Sequence, residues 1–154
     1  MSAIESLQKQ LKEAKADTSI ILLNCKLAFE IVEADRGKAK AYVATAETLV
    51  SKIGYRKGEM MAIYAKAMIA DYEAKFDTSI AYFEGAVTIA KELKEQSWEA
   101  EGYISIGLEY IHQNKFDKAL EYYNKAETLA EDINNQSLLA KAYRKKANLA
   151  MQSQ

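Results

Sequence analysis

The segment QSWEAEGYISIGLEYIHQNKFDKALEYYNKAETLAEDINN, from Gln96 to Asn135, decides the architecture, because its pattern can be laid over most of the chain at a shift of 40 residues. The shift places Lys75-Phe76-Asp77 on Lys115-Phe116-Asp117, Tyr82 on Tyr122, Ala86 on Ala126, Thr88 on Thr128, Ala90 on Ala130 and Gln96-Ser97 on Gln136-Ser137. Between these, Ile80/Leu120, Phe83/Tyr123, Ile89/Leu129 and Leu93/Ile133 keep their apolar character. A shift of 80 places Ala46-Glu47-Thr48-Leu49 on Ala126-Glu127-Thr128-Leu129. Periods of this length mark stacked supersecondary units, none of which can bury its apolar face alone. Inside the unit, Tyr103, Ile106, Gly107 and Tyr110 are followed by Phe116, Ala119, Tyr123 and Ala126. This spacing predicts two amphipathic helices meeting antiparallel, with Gly107 and Ala119 as the small contacts and the aromatic rings packed around them.

Outward from this unit, the chain reads as helix nearly throughout. Proline is absent from all 154 residues, so the turns are expected to use Gly, Asn, Asp and Ser. Ile4, Leu7, Leu11 and Ala14 recur at helical spacing and predict a helix over 3–15. Asp17-Thr18-Ser19 is a helix-start signal. The helix after it carries Leu23, Leu27 and Ile31 on one face; Leu27-Ala28 matches Ile106-Gly107 only if the next turn is one residue shorter than in later units. Gly54 suits a left-handed helix stop. In the second unit Met60, Met61, Ile63, Tyr64, Met68, Ile69 and Tyr72 give more apolar surface than one packed face needs, and Lys66 falls where the third unit has Ile106. The expected organisation is one domain over 1–154: the first helix, units over 18–54, 56–94 and 96–135, and a last helix over 136–152. That last helix is a cap or half a unit, with Tyr143 and Ala147 in the places of Tyr103 and Gly107 and expected to be buried. Leu139 and Leu149 are the residues expected to lack cover, and weak self-association would follow.

Composition narrows the function. Lys and Arg number 21 against 22 Asp and Glu, a formal net charge of −1, so bulk attraction to nucleic acid is not expected. The single cysteine, Cys25, excludes an intrachain disulfide and fits a reducing compartment, for which a cytoplasmic location is the expectation. No stretch reads as a signal peptide or membrane span. With one His and one Cys no triad or metal set can be assembled, and the six glycines are scattered singly, without a phosphate-cradling loop. His112 reads as an exposed or groove-edge residue and Cys25 as a small packed hydrophobe. The expectation is a non-catalytic chain without cofactor or metal.

The pattern aromatic-x2-Ile-Gly-x2-Tyr at Tyr103, Ile106, Gly107 and Tyr110, continued by Phe116, Ala119, Tyr123 and Ala126, resembles the tetratricopeptide repeat. The resemblance implies an all-α, TPR-like α-solenoid of antiparallel helix pairs, about three and a half repeats plus the N-terminal helix. It also implies that the first helices of successive units line a concave groove. The residues selected for that groove are Met61, Tyr64, Met68 and Tyr72 in the second unit, and Ile104, Leu108 and Ile111 in the third, beside Glu101 and His112. Lys141, Arg144 and Asn148, with Lys145 beside them, make its basic end. Burial against a neighbouring helix is the other reading of Met61, Tyr64 and Met68. Some members hold a terminal carboxylate with a Lys or Arg followed four residues later by Asn; Arg144 and Asn148 match that pair, whereas Tyr64/Met68 and Ile104/Leu108 do not. The function implied is a protein-binding module that docks a peptide or helix with apolar anchors. Asp17-Thr18 through Glu30, and Ile53 through Gly58, also resemble the repeat regions preceding bacterial histidine kinases and nucleotide cyclases. That resemblance implies the alternative of a sensory or regulatory signal-transduction segment, which in such proteins can lie in the periplasm after an N-terminal signal. A third class, small-ligand binding between helices, predicts an enclosed pocket.

Overall fold

A computed structural model describes residues 1–154, and it contains eight helices and no strand: α1 (Ala3–Glu13), α2 (Asp17–Ile31), α3 (Arg36–Ile53), α4 (Arg56–Tyr72), α5 (Phe76–Glu92), α6 (Gln96–His112), α7 (Phe116–Asp132) and α8 (Gln136–Gln152). The helices from α4 onward are each 17 residues long and start at 56, 76, 96, 116 and 136, so the 40-residue period is two helix-plus-turn halves of 20. The turns enforce this spacing. Gly54, Ala74, Lys94, Asn114 and Asn134, again 20 apart, all have left-handed backbone, with φ of 68°, 57°, 57°, 57° and 53°. After each of the last four, the next amide reaches back five residues along the chain: Lys75 N–H donates to the Ala70 carbonyl at 2.9 Å and Lys115 N–H to that of Tyr110 at 2.8 Å. This closure satisfies carbonyls that a helix end leaves without partners. Two of the turns use Ala and Lys, which composition alone would not select, because the hydrogen-bonded geometry outweighs the conformational cost of a Cβ there. The α2–α3 turn differs: it has no left-handed residue, Asp35 N–H donates to the Ile31 carbonyl at 2.8 Å, and α3 starts at 36, 19 residues after the start of α2 at 17 and not 20 as in the later units.

The helices cluster into two compact units, Met1–Lys75 and Phe76–Gln154, and the boundary falls inside the second repeat, between α4 and α5. In the first unit α1 packs on α2, α2 on α3, α3 on α4, and α2 directly on α4. Its core holds Ala28, Ile31, Val32, Ala39, Val43, Ala65 and Ile69, with Ile4, Phe29, Tyr42 and Met68 packed against them. The first helix is held at its start by a reciprocal pair: Ser2 Oγ accepts from Glu5 N–H, and Ser2 N–H donates to the Glu5 carboxylate. The expected cap at Asp17-Thr18-Ser19 is corrected. The capping position is Ala16, no side chain caps α2, and Asp17 is already helical, its carboxylate 3.8 Å from Lys52 Nζ.

In the second unit α5 packs on α6, α6 on α7, α7 on α8, and α6 directly on α8. Gly107 faces Tyr123: a Cβ added there would stand 2.4 Å from the ring, closer than packed atoms approach. Glycine at this site is what lets the fully buried Tyr123 ring enter between α6 and α7, and burial pushes its hydroxyl up to about 12. The expectation for α8 is overturned. Tyr143 is 48% exposed and Ala147 is exposed, whereas Leu138, Ala142 and Leu149 are buried and Leu139 packs on the core. The reason lies in the partners of each helix: Gly107 on α6 faces Tyr123 on α7, whereas α8 packs on α7 and α6. The side facing back toward α6 and α7 is filled instead, and burying a leucine is worth roughly 2 kcal/mol.

Candidate binding surface

The repeat order makes α2, α4, α6 and α8 the first helices of successive pairs. Their direct packing, α2 on α4 in one unit and α6 on α8 in the other, brings equivalent faces of neighbouring pairs side by side although a helix intervenes in sequence. The groove expected from the sequence would run along these first-helix faces.

In the second unit that face holds Leu108 and Ile111, half-buried on α6, and Arg144 and Asn148, exposed on α8. Ile104 lies in the core beneath. Lys141 is tied down, its Nζ 2.5 Å from Glu101 Oε2, and Lys146 is likewise 2.5 Å from Glu127 Oε2. His112 is stacked on Phe76, with ring centroids 5.0 Å apart and planes at 18°, which holds it at the end of α6. Lys145, named in the sequence only as part of a basic end, is half-buried, and burial first, then Lys141 and Arg144, push its amine below the usual lysine range. Its signal in the sequence is a register difference: the equivalent residues are Ala65 and Ser105.

In the first unit, Met68 is half-buried and packed on the core, and Tyr72 is 42% exposed. Met61 and Tyr64 are buried, and the Tyr64 ring meets Phe29 edge-on at 6.0 Å. The packing alternative therefore describes Met61 and Tyr64, and Ile104 with them: their area is spent inside the fold.

Elsewhere in the second unit Tyr122 lies between Tyr103 and Tyr110, at centroid distances of 6.1 and 5.6 Å, with Lys125 Nζ 4.5 Å from the Tyr122 centroid and Lys118 Nζ 5.3 Å from that of Tyr110. An open cavity of about 440 Å³ beside Tyr103 is lined by Glu99, Asn124, Lys125, Leu129 and Asp132 among others. Cys25 is buried and its thiol is pushed up to about 12, chiefly by burial, so it stays protonated and unreactive at neutral pH. No group of three or more His, Cys, Asp or Glu side chains is placed to hold a metal ion. No helix is long and apolar enough to cross a membrane.

Packing and register together define a class: an all-α repeat array of helix pairs, with a small-residue contact inside the α6–α7 pair. Residues 59–132 match the family model described as "Tetratricopeptide repeat", so this stretch of the chain carries tetratricopeptide repeats. The match runs from α4 through α7, and the helix and turn spacing on which it rests continues into α8. A comparison with curated proteins finds no match. Tetratricopeptide repeats are in general protein-interaction modules.

Proposed function

We propose that this chain is a protein-interaction module whose first-helix faces dock a segment of a partner protein. The observation that supports the proposal is the direct packing of α6 on α8, with the apolar Leu108 and Ile111 half-buried on α6 and Arg144 and Asn148 exposed on α8. An apolar strip next to fixed polar groups suits an amphipathic helix or extended peptide, since the apolar part supplies affinity and the polar part orientation. In the first unit Met68 and Tyr72 offer accessible surface on the corresponding helix. Met61, Tyr64 and Ile104 support these faces from the core and contribute little contact area of their own.

The experiment is recovery of a partner on the immobilised protein, followed by binding measurements with Leu108→Asp and Ile111→Asp. Each carboxylate would desolvate at the centre of the contact, so each variant is expected to lose at least tenfold in affinity while keeping the parent melting curve. Parent-like affinity in both variants would move the binding site elsewhere.

A further inference from the structure

Helix α8 contains four cations, Lys141, Arg144, Lys145 and Lys146, and no acidic residue. Glu101 on α6 neutralises Lys141, and Glu127 on α7 neutralises Lys146. Arg144 and Lys145 are left, adjacent in sequence, one exposed and one half-buried. The groups that act on Lys145 electrostatically are both positive, Lys141 and Arg144. Partly desolvating a cation next to like charges is unfavourable, and a lysine on an exposed helix could turn its amine outward and avoid it. An arriving anion relieves both costs at once.

We propose that the α6/α8 face carries a subsite for an acidic side chain of the docked protein segment, with Lys145 as its inner contact and Arg144 as its outer one. This rests on the reading of the face as a docking surface, and it adds the chemistry of the partner: a carboxylate, or a phosphate on a modified residue, placed beside the apolar residues that meet Leu108 and Ile111. A protein segment fits better than a polyanion, because the uncompensated charge is confined to two side chains, the other two cations of α8 being held by Glu101 and Glu127. A nucleic acid strand or an anionic bilayer would bring more negative charge than these two cations can meet. The chain as a whole, at a formal net charge of −1, adds no long-range attraction for either.

The test is selection of a random peptide library on the intact protein and on Lys145→Met, which keeps the aliphatic stem and removes the charge. Peptides selected on the parent should be enriched in Asp or Glu next to apolar residues. The enrichment should vanish on Lys145→Met, and individual acidic peptides should bind that variant roughly tenfold more weakly, with Glu-to-Gln versions of the same peptides indifferent to the substitution. Apolar peptides without acidic enrichment, sensitive to Leu108→Asp, would overturn the subsite and leave the docking face standing. Selected peptides insensitive to Leu108→Asp, or none selected, would overturn both. A single-stranded oligonucleotide, or vesicles containing phosphatidylserine, that displaced the selected peptides and lost binding on Lys145→Met would overturn the assignment to a protein segment.

Discussion

Lys66 Nζ lies 2.9 Å from Glu47 Oε1, joining α4 to α3, and 80 residues further on Lys146 and Glu127 join α8 to α7 in the same way. At the seam between them, where α5 meets α6, the corresponding residues are Val87 and Ile106, both buried. A third position follows the exchange. Ala62 and Ala142 accompany the ion pairs, whereas Gly102 accompanies Val87, because a Cβ at Gly102 would stand 2.3 Å from Val87 Cγ2. The three seams thus use two interchangeable sets of residues, Glu/Ala/Lys and Val/Gly/Ile.

The exchange predicts strong coupling at the apolar seam. Ile106→Lys alone places an unpaired ammonium in a buried site and is expected to cost roughly 3 kcal/mol or more. Adding Val87→Glu and Gly102→Ala should recover at least about 1 kcal/mol of that loss. Denaturant midpoints of the single, double and triple variants measure it; strictly additive losses would mean that the residues do not act as a set. The natural pair Glu47–Lys66 is more than a third exposed on Glu47 and close to that on Lys66, so breaking it with Lys66→Met should cost only about 0.5 kcal/mol, less at high salt.

The left-handed turns predict a gain in stability. Ala74 and Lys94 carry a Cβ at φ 57°, so Ala74→Gly and Lys94→Gly should each stabilise by about 0.5–1 kcal/mol, a net of relieved strain over added chain entropy. Gly54→Ala should destabilise by a similar amount. Asn114→Gly should change little, since Asn tolerates this conformation. Thermal melts of the four variants decide the matter.

Gly107 predicts a steric coupling. Gly107→Ala forces the Tyr123 ring to move and should cost about 1–3 kcal/mol. Paired with Tyr123→Leu, the added methyl meets a smaller side chain, so the double variant should lose less than the sum of the singles. Equal losses would mean that the ring can step aside.

A pH dependence follows from Glu73. Hydrogen bonds from Lys40 and from Lys75, the latter 2.8 Å away, lower its carboxyl from 4.5 to about 2 in the folded chain. A carboxyl depressed by folding adds stability that is complete above the unfolded value of 4.5 and is lost as the pH falls toward 2. The parent should therefore exceed Glu73→Gln in stability at neutral pH, and the difference should shrink between those limits. A constant difference down to pH 2 would remove Glu73 from the acid response.

The fold was legible because its determinants recur. One copy of Tyr103, Gly107 and Tyr123 could be coincidence, but the shift of 40 repeats the small-residue and aromatic positions, and a glycine at a close approach has a strict steric cause. The binding face was less legible. Apolar residues of a first helix serve the core or the groove with equal chemistry, so spacing could not separate buried Tyr64 from half-buried Met68. The exposed side of α8 was misjudged because register alone carries Tyr143 onto Tyr103, while burial depends on the helix opposite. Glu109 had no signal at all: a fully buried carboxyl at 1% exposure, it occupies the place of Ile69 and Leu149.

The alternation of seam residues also makes the sequence selective about its own rearrangement. Excising residues 76–115, which removes α5 and α6, takes out the whole apolar seam and leaves the Glu47–Lys66 and Glu127–Lys146 seams intact. Excising 56–95, an equally long piece that removes α4 and α5, would set Glu47 opposite Ile106 and leave a carboxylate against an alkyl group. Both deletions preserve the period, but only the first preserves the chemistry across the cut. Removal of one period therefore keeps the seam residues matched when the break points fall inside a helix pair and mismatches them when the break points fall between pairs, so charge as well as length limits which deletions the fold accepts.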